Sequence, residues 1–123
     1  MLAACNDDGC GNTVLQDVPS PDGRRHAVVF TRDCGATTDF STQVSVLTRA
    51  REAVGGGNVF SADTDHGQIP SDRGGGPAVM AEWIDGRTLR IRYRTGARVF
   101  KQDSRHDDTN VQYLAQADLT SRP

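Results

Sequence analysis

The run Ala78-Val79-Met80-Ala81-Glu82-Trp83-Ile84-Asp85-Gly86-Arg87-Thr88-Leu89-Arg90-Ile91-Arg92-Tyr93-Arg94 carries the clearest structural signal in this chain. Val79, Ala81 and Trp83 alternate with Met80 and Glu82, and Leu89, Ile91 and Tyr93 alternate with arginines. That period of two belongs to strands, whose side chains point to opposite faces in turn, and not to helices. For both apolar sets to face one core, the numbers of paired residues must sum to an even value, because a one-residue slip turns every side chain over. A two-residue Asp85-Gly86 turn gives an odd sum and sets Trp83 opposite Thr88. A three-residue loop, Ile84-Asp85-Gly86 with Gly86 left-handed at a bulge, gives the even sum and is expected here.

The same period extends to both sides. Upstream, Ser20-Pro21-Asp22-Gly23 is turn chemistry, with proline presetting φ and glycine accepting a left-handed conformation. A strand is expected over Arg25 to Arg32, where Ala27-Val28-Val29-Phe30 is apolar on both faces and suits a covered, central position. Thr42 to Thr48 reads as the next strand, after the polar loop Asp33 to Phe40, and Thr13 to Gln16 as a short first one. A helix is conceivable only over Thr48 to Val54, where Gly55-Gly56-Gly57 limits it to two turns. Asn58 to Phe60 reads as a short strand before the long loop Ala62 to Pro77. Arg98 to Lys101 and Val111 to Leu114 complete the set, separated by the charged loop Asp103 to Asp108. The expectation is all-β: a small antiparallel meander forming a sandwich or partly open barrel, with at most one short helix. It divides into an amino-terminal segment 1–12, a single domain 13–118 and a loose tail 119–123.

The core must be lean, since 36% of the 123 residues are hydrophobic and thirteen are glycine. A covalent staple would help such a fold. Cys10 and Cys34 are the pair available for one, closing a loop of about 25 residues. Cys5 ends Leu2-Ala3-Ala4-Cys5, which reads as the lipidation box of a bacterial lipoprotein. Four residues precede it, fewer than an export signal occupies, so lipidation supposes a longer precursor. Otherwise the tetrapeptide is chance and Cys5 a plain cytosolic thiol. The formal charge of −2, with both signs interspersed, demands neither nucleic acid nor an anionic membrane as partner. No apolar run is long enough for a membrane-spanning helix.

Two loops hold the candidate ligand-binding residues: Asp33, Thr37, Thr38 and Asp39 in one, Asp63, Asp65 and His66 in the other. Asp63-Thr64-Asp65-His66-Gly67 places alternate carboxylates and an imidazole where oxygen ligands of a cation could gather, but the calcium-loop pattern is not completed. Its plainer reading is a turn whose Asp side chains bond their own backbone. Gly74-Gly75-Gly76-Pro77 lacks the Lys-Ser/Thr of a phosphate loop and reads as close backbone packing or flexibility. Arg90, Arg92 and Arg94 form a basic stripe, either a solvated face paired with Glu82 or a grip for an acidic partner. It lacks the interleaved aromatics that stack bases, so nucleic acid is not expected. No catalytic residues are assigned, and no cofactor is expected.

Ser20-Pro21-Asp22-Gly23, Ala27 to Phe30, the run Arg32-Asp33-Cys34-Gly35-Ala36-Thr37-Thr38-Asp39-Phe40-Ser41-Thr42-Gln43-Val44-Ser45 and Ala62 to Gly67 together resemble a group of small bacterial proteins of unknown function. Many of these have lipoprotein-type amino termini. Gly74 to Pro77 and Trp83 to Tyr93 fit the same pattern, so the resemblance spans most of the chain. It implies kinship and no catalytic residues. Thr95-Gly96-Ala97-Arg98-Val99 is similar in flavour to a loop of small β-barrel lipoproteins that inhibit lysozyme, with Thr and Val where those carry Ser and Tyr. The functional expectation is a non-enzymatic lipoprotein domain of the cell envelope or periplasm, with a cytoplasmic location as the alternative. It would be tethered to the membrane through Cys5 if processed and would bind a protein or cell-wall ligand through its loops. The alternative is a metal-dependent or enzymatic module using Asp63, Asp65 and His66.

Overall fold

In the computed structural model, which describes residues 9–35 and 40–120, the period-two pattern becomes nine strands among those residues. They are β1 (Gly11–Pro19), β2 (Arg25–Asp33), β3 (Ser41–Thr48), β4 (Phe60–Asp63), β5 (Val79–Asp85), β6 (Thr88–Arg94), β7 (Arg98–Gln102), β8 (Arg105–His106) and β9 (Thr109–Gln116). Two sheets form, ordered β1-β2-β3-β4-β7 and β5-β6-β9-β8. Their inner faces meet in one core of Ala27, Val29, Val44, Val46, Phe60, Ala62, Val79, Ala81, Leu89, Ile91 and Val111, with Val59. The fold is an all-β sandwich and not a closed barrel. Strand order leaves consecutive pairing twice. β7 crosses to pair with β4, and β9 returns to lie parallel to β6. A parallel neighbour needs a long crossover rather than a hairpin, and residues 95–108 supply it through the other sheet.

The β5–β6 hairpin has the even register, with Val79 opposite Tyr93, Ala81 opposite Ile91 and Trp83 opposite Leu89. Its loop differs from expectation. Gly86 is not left-handed; the register shifts between Trp83 and Asp85, and Asp85 pairs with Thr88 across the two-residue turn Gly86-Arg87. The Asp85 carboxylate accepts the Arg87 N–H at 2.8 Å and closes that turn, so Ile84 becomes the extra residue and points outward.

Strand β2 is buried on both faces, as its run of four apolar residues requires. Ala27 and Val29 face the core. Val28 and Phe30 point the other way, yet are 2% and 0% exposed. Residues 49–58 strap over that outer face, which is also why no helix forms at Thr48 to Val54. A helix would need its carbonyls internally, but Arg51 O faces His26 Nε2 at 2.8 Å, and Ala53 O and Gly55 O accept from Asn12 Nδ2 at 3.3 and 2.9 Å. Arg32 in turn donates to Asn12 Oδ1 at 2.7 Å and fixes which way that amide points. Asn58 pins the far end of the strap, accepting from Val46 N–H and donating to Val46 O. The only helical element among the described residues is one 3₁₀ turn, Arg73–Gly75.

Where the edges of the two sheets meet, side chains substitute for the missing backbone ladder. The Gln16 amide donates to Ala81 O at 2.9 Å and accepts from Ala81 N–H at 3.0 Å. A register shift between Val14 and Gln16 aims it there. Trp83 Nε1 donates to Val18 O at 2.8 Å. Across the sandwich, the Tyr113 hydroxyl donates to Val59 O and Asp103 O, and burial pushes its ionisation upward. Position 119, the start of the expected loose tail, is packed, and positions 121–123 lie outside the described residues. Leu119 is buried and its carbonyl accepts from Arg94.

Candidate functional site

The Cys10–Cys34 disulfide forms one position beyond the Gly11–Asp33 pair that ends the β1–β2 ladder. It therefore staples the end of the sandwich at which both candidate loops emerge. The loop after β4, residues 64–78, runs across this end. Its triple glycine is required by space. A Cβ on Gly74 would sit 2.5 Å from the Thr31 side chain, on Gly75 2.0 Å from the Phe40 ring, and on Gly76 2.3 Å from Thr42 Oγ1. At Gly76 it would also lie 3.0 Å from Thr42 N and 3.1 Å from Ser41 C, which are backbone and cannot swing aside. Close packing, not a phosphate cradle, is what these glycines provide. Gly76→Ala is expected to destabilise the protein by about 2 kcal/mol. Urea unfolding would measure it, and a change below about 0.5 kcal/mol would mean the loop does not sit this tightly.

Register places Arg32, Ser41, Asp63 and Arg98 in one cross-strand row on the outer face of the larger sheet. Asp63 is 5% exposed and is gripped by Arg98, whose Nε reaches Oδ1 at 3.0 Å and NH2 reaches Oδ2 at 2.7 Å. Its Oδ1 also accepts the Asp65 N–H at 2.8 Å. Burial by itself raises the carboxyl pKa, but the Arg98 hydrogen bonds, the Asp65 N–H and the nearby charges of Arg98 and His66 outweigh it and hold the carboxyl below its usual range. A folded-state pKa below the unfolded value means stability present above about pH 4 and lost as pH falls through the folded value. Asp63→Asn should thus cost about 2 kcal/mol at neutral pH, with the difference from wild type narrowing towards pH 2.5. Paired unfolding curves across that range would show it; a constant difference would contradict the charge pairing.

After Asp63 the chain turns left-handed through Asp65 (φ 56°), His66 (φ 58°) and Gly67 (φ 85°). Gln68 N–H donates to Asp65 O at 3.2 Å and Gly67 N–H to Thr64 Oγ1 at 3.2 Å. The turn reading of this stretch holds, since Asp63 bonds the backbone two residues on. The metal reading does not gather a ligand set. Among the described residues no three His, Cys, Asp or Glu side chains are grouped to hold an ion, and both Asp63 oxygens are committed to a guanidinium.

Asp33 bonds its own loop, accepting the Gly35 N–H at 3.0 Å. It stands at the same end of the sheet as Asp63, one residue beyond the row. Thr37, Thr38, Asp39 and Cys5 lie outside the described residues. Of the basic stripe, Arg92 donates to Glu82 at 3.1 Å, Arg90 lies 3.8 Å from the same carboxylate, and Arg94 bonds the Leu119 carbonyl. Two arginines thus pair with Glu82, the plainer of the two readings. Phe100 was not singled out as a site residue from sequence. The Arg98 guanidinium lies 5.1 Å from the Phe100 ring centroid, and Phe100 is 61% exposed on a bulged edge strand. Among the described residues no helix is long and apolar enough to cross a membrane. No family model, curated protein or solved structure matches this chain.

Proposed function

We propose that this protein is a non-enzymatic binding domain of the bacterial cell envelope, engaging a protein or cell-wall ligand through the loops at the stapled end of the sandwich. The observation that carries the reading is where the long loop after Asp63 lies. Gly75 packs on Phe40 and Gly76 on Thr42, so this loop lies against the start of β3 at the stapled end of the sandwich. Loops held on a rigid sheet carry most recognition, because the scaffold has already met their ordering cost. The disulfide supports an oxidising compartment, where such bonds persist. Membrane attachment through a lipid on Cys5 is part of this reading.

Co-sedimentation of the oxidised protein with bacterial envelope fragments tests it. Wild type is expected in the pellet, and a variant with residues 64–72 replaced by a Gly/Ser linker in the supernatant. Equal pelleting of both would remove the loops from the interface. Failure of both to pellet would overturn the reading.

A further inference from the structure

Five side chains meet where β4 gives way to its loop and β7 begins. Asp63 holds Arg98 through two bonds at 3.0 and 2.7 Å, and Arg98 also lies 3.8 Å from Asp65. Arg98 covers one side of the Phe100 ring at 5.1 Å, while the ring remains 61% exposed. His66, exposed, lies close enough for its charge to favour ionised Asp63. Asp65 and His66 keep left-handed conformations that cost of the order of 1 kcal/mol each, a strain that persists where surrounding bonds over-determine it and that clusters at ligand sites.

The balance of charge narrows the ligand. The positive charge of Arg98 is met by two carboxylates, Asp63 and Asp65, so its guanidinium is already neutralised and is a poor grip for a phosphate or an acidic peptide. An exposed apolar ring beside fixed donors and acceptors suits a neutral molecule that is apolar on one face and hydroxylated at its rim. We infer that this corner is a carbohydrate subsite for a neutral pyranoside, the C–H face of the sugar resting on Phe100 and its hydroxyls meeting Asp65, His66 and Arg98. The inference rests on the loop-binding reading above and names the ligand class of that same surface. Arg98 is preorganised by Asp63, so a hydroxyl meets a guanidinium already in place and little ordering cost remains to be met on binding.

Titration of the full chain with a neutral N-acetylglucosamine hexamer, followed by calorimetry, tests the assignment. Saturable binding is expected. Phe100→Ala should weaken it at least about tenfold, as should Asp65→Asn, which keeps a residue tolerant of the left-handed turn. Phe100 is exposed, so its variant should keep the wild-type unfolding midpoint. Phe100→Leu, which keeps the apolar bulk and removes the ring face, should also weaken binding. Undetectable binding to wild type, affinity unchanged by Phe100→Ala, or tighter binding of a polyglutamate peptide would each overturn the proposal. Should envelope fragments still pellet the protein while the hexamer does not bind, the sugar assignment fails and the loop reading survives. Should neither bind, both fail.

Discussion

Phe60→Ala should lower the stability of this protein by about 4 kcal/mol, a large share of the roughly 5–15 kcal/mol that holds a domain together. Phe60 is wholly buried, and its ring centroid lies 5.3 Å from that of Tyr93 and 5.7 Å from that of Tyr113. Tyr93 sits on β6 and Tyr113 on β9, so one phenyl ring from the larger sheet plugs the middle of the smaller one. Removal of the ring leaves a cavity lined by two half-buried tyrosines that cannot collapse far, because the Tyr113 hydroxyl is anchored to Val59 O and Asp103 O. The transfer and cavity costs therefore add. Urea unfolding of the variant should show the midpoint falling by about that amount at nearly constant slope. Phe60→Leu, which keeps most of the volume, should cost less than half as much. A loss below about 1 kcal/mol for the alanine variant would show that the two sheets do not depend on this contact.

The second large effect is expected from the staple. Replacing both Cys10 and Cys34 by serine should cost about 3–4 kcal/mol on the loop-closure estimate for this ring, whose cysteines are 24 residues apart. Most of that acts on the unfolded chain, since β1 and β2 are already paired along their whole length in the folded one. Denaturant unfolding with and without a dithiol reductant should give the same difference as the double variant. The slope should rise as the released chain exposes more surface. Identical curves with and without reductant would mean that the strand pairing alone holds this end.

Much of the sandwich was legible because local pattern and tertiary demand agree there. The apolar run Ala27 to Phe30 required cover on both faces, and the even-sum rule fixed which faces of β5 and β6 share the core, although the pairs are shifted by two residues from those the expected loop would set. The tight turn at Asp63 to Gly67 followed from Asp chemistry, while for Gly74 to Gly76 the sequence spoke against a phosphate loop and left close packing and flexibility both open. What was hidden depends on contacts remote in sequence. Nothing in Val111 to Leu114 shows that its neighbour would be β6 in parallel, because a strand pattern carries no information on direction. The helix conceivable at Thr48 to Val54 does not form because Asn12 and His26 claim its carbonyls from strands far away. Gly86 is the bulge residue that local turn chemistry favours, but the Asp85 side chain closes a different turn. At the candidate site, Asp63 was visible as a carboxylate in a turn. Its pairing with Arg98, 35 residues on, and the exposure of Phe100 needed the β4–β7 register to be known.

The Gln16 amide has a consequence for how this chain behaves among its own copies. A bare strand edge offers a row of donors and acceptors on which another chain can extend the sheet, the usual start of aggregation. By occupying both backbone groups of Ala81 with a side chain, Gln16 spoils β5 as a template at its middle, where an incoming strand would have to register first. Trp83 does the same for β1 at Val18, and Arg73 for β1 at Leu15. A protein held at high local density, as a population tethered to one surface would be, needs protection of this kind more than a dilute one does. The seam that joins the two sheets is thus also what keeps neighbouring molecules from joining theirs.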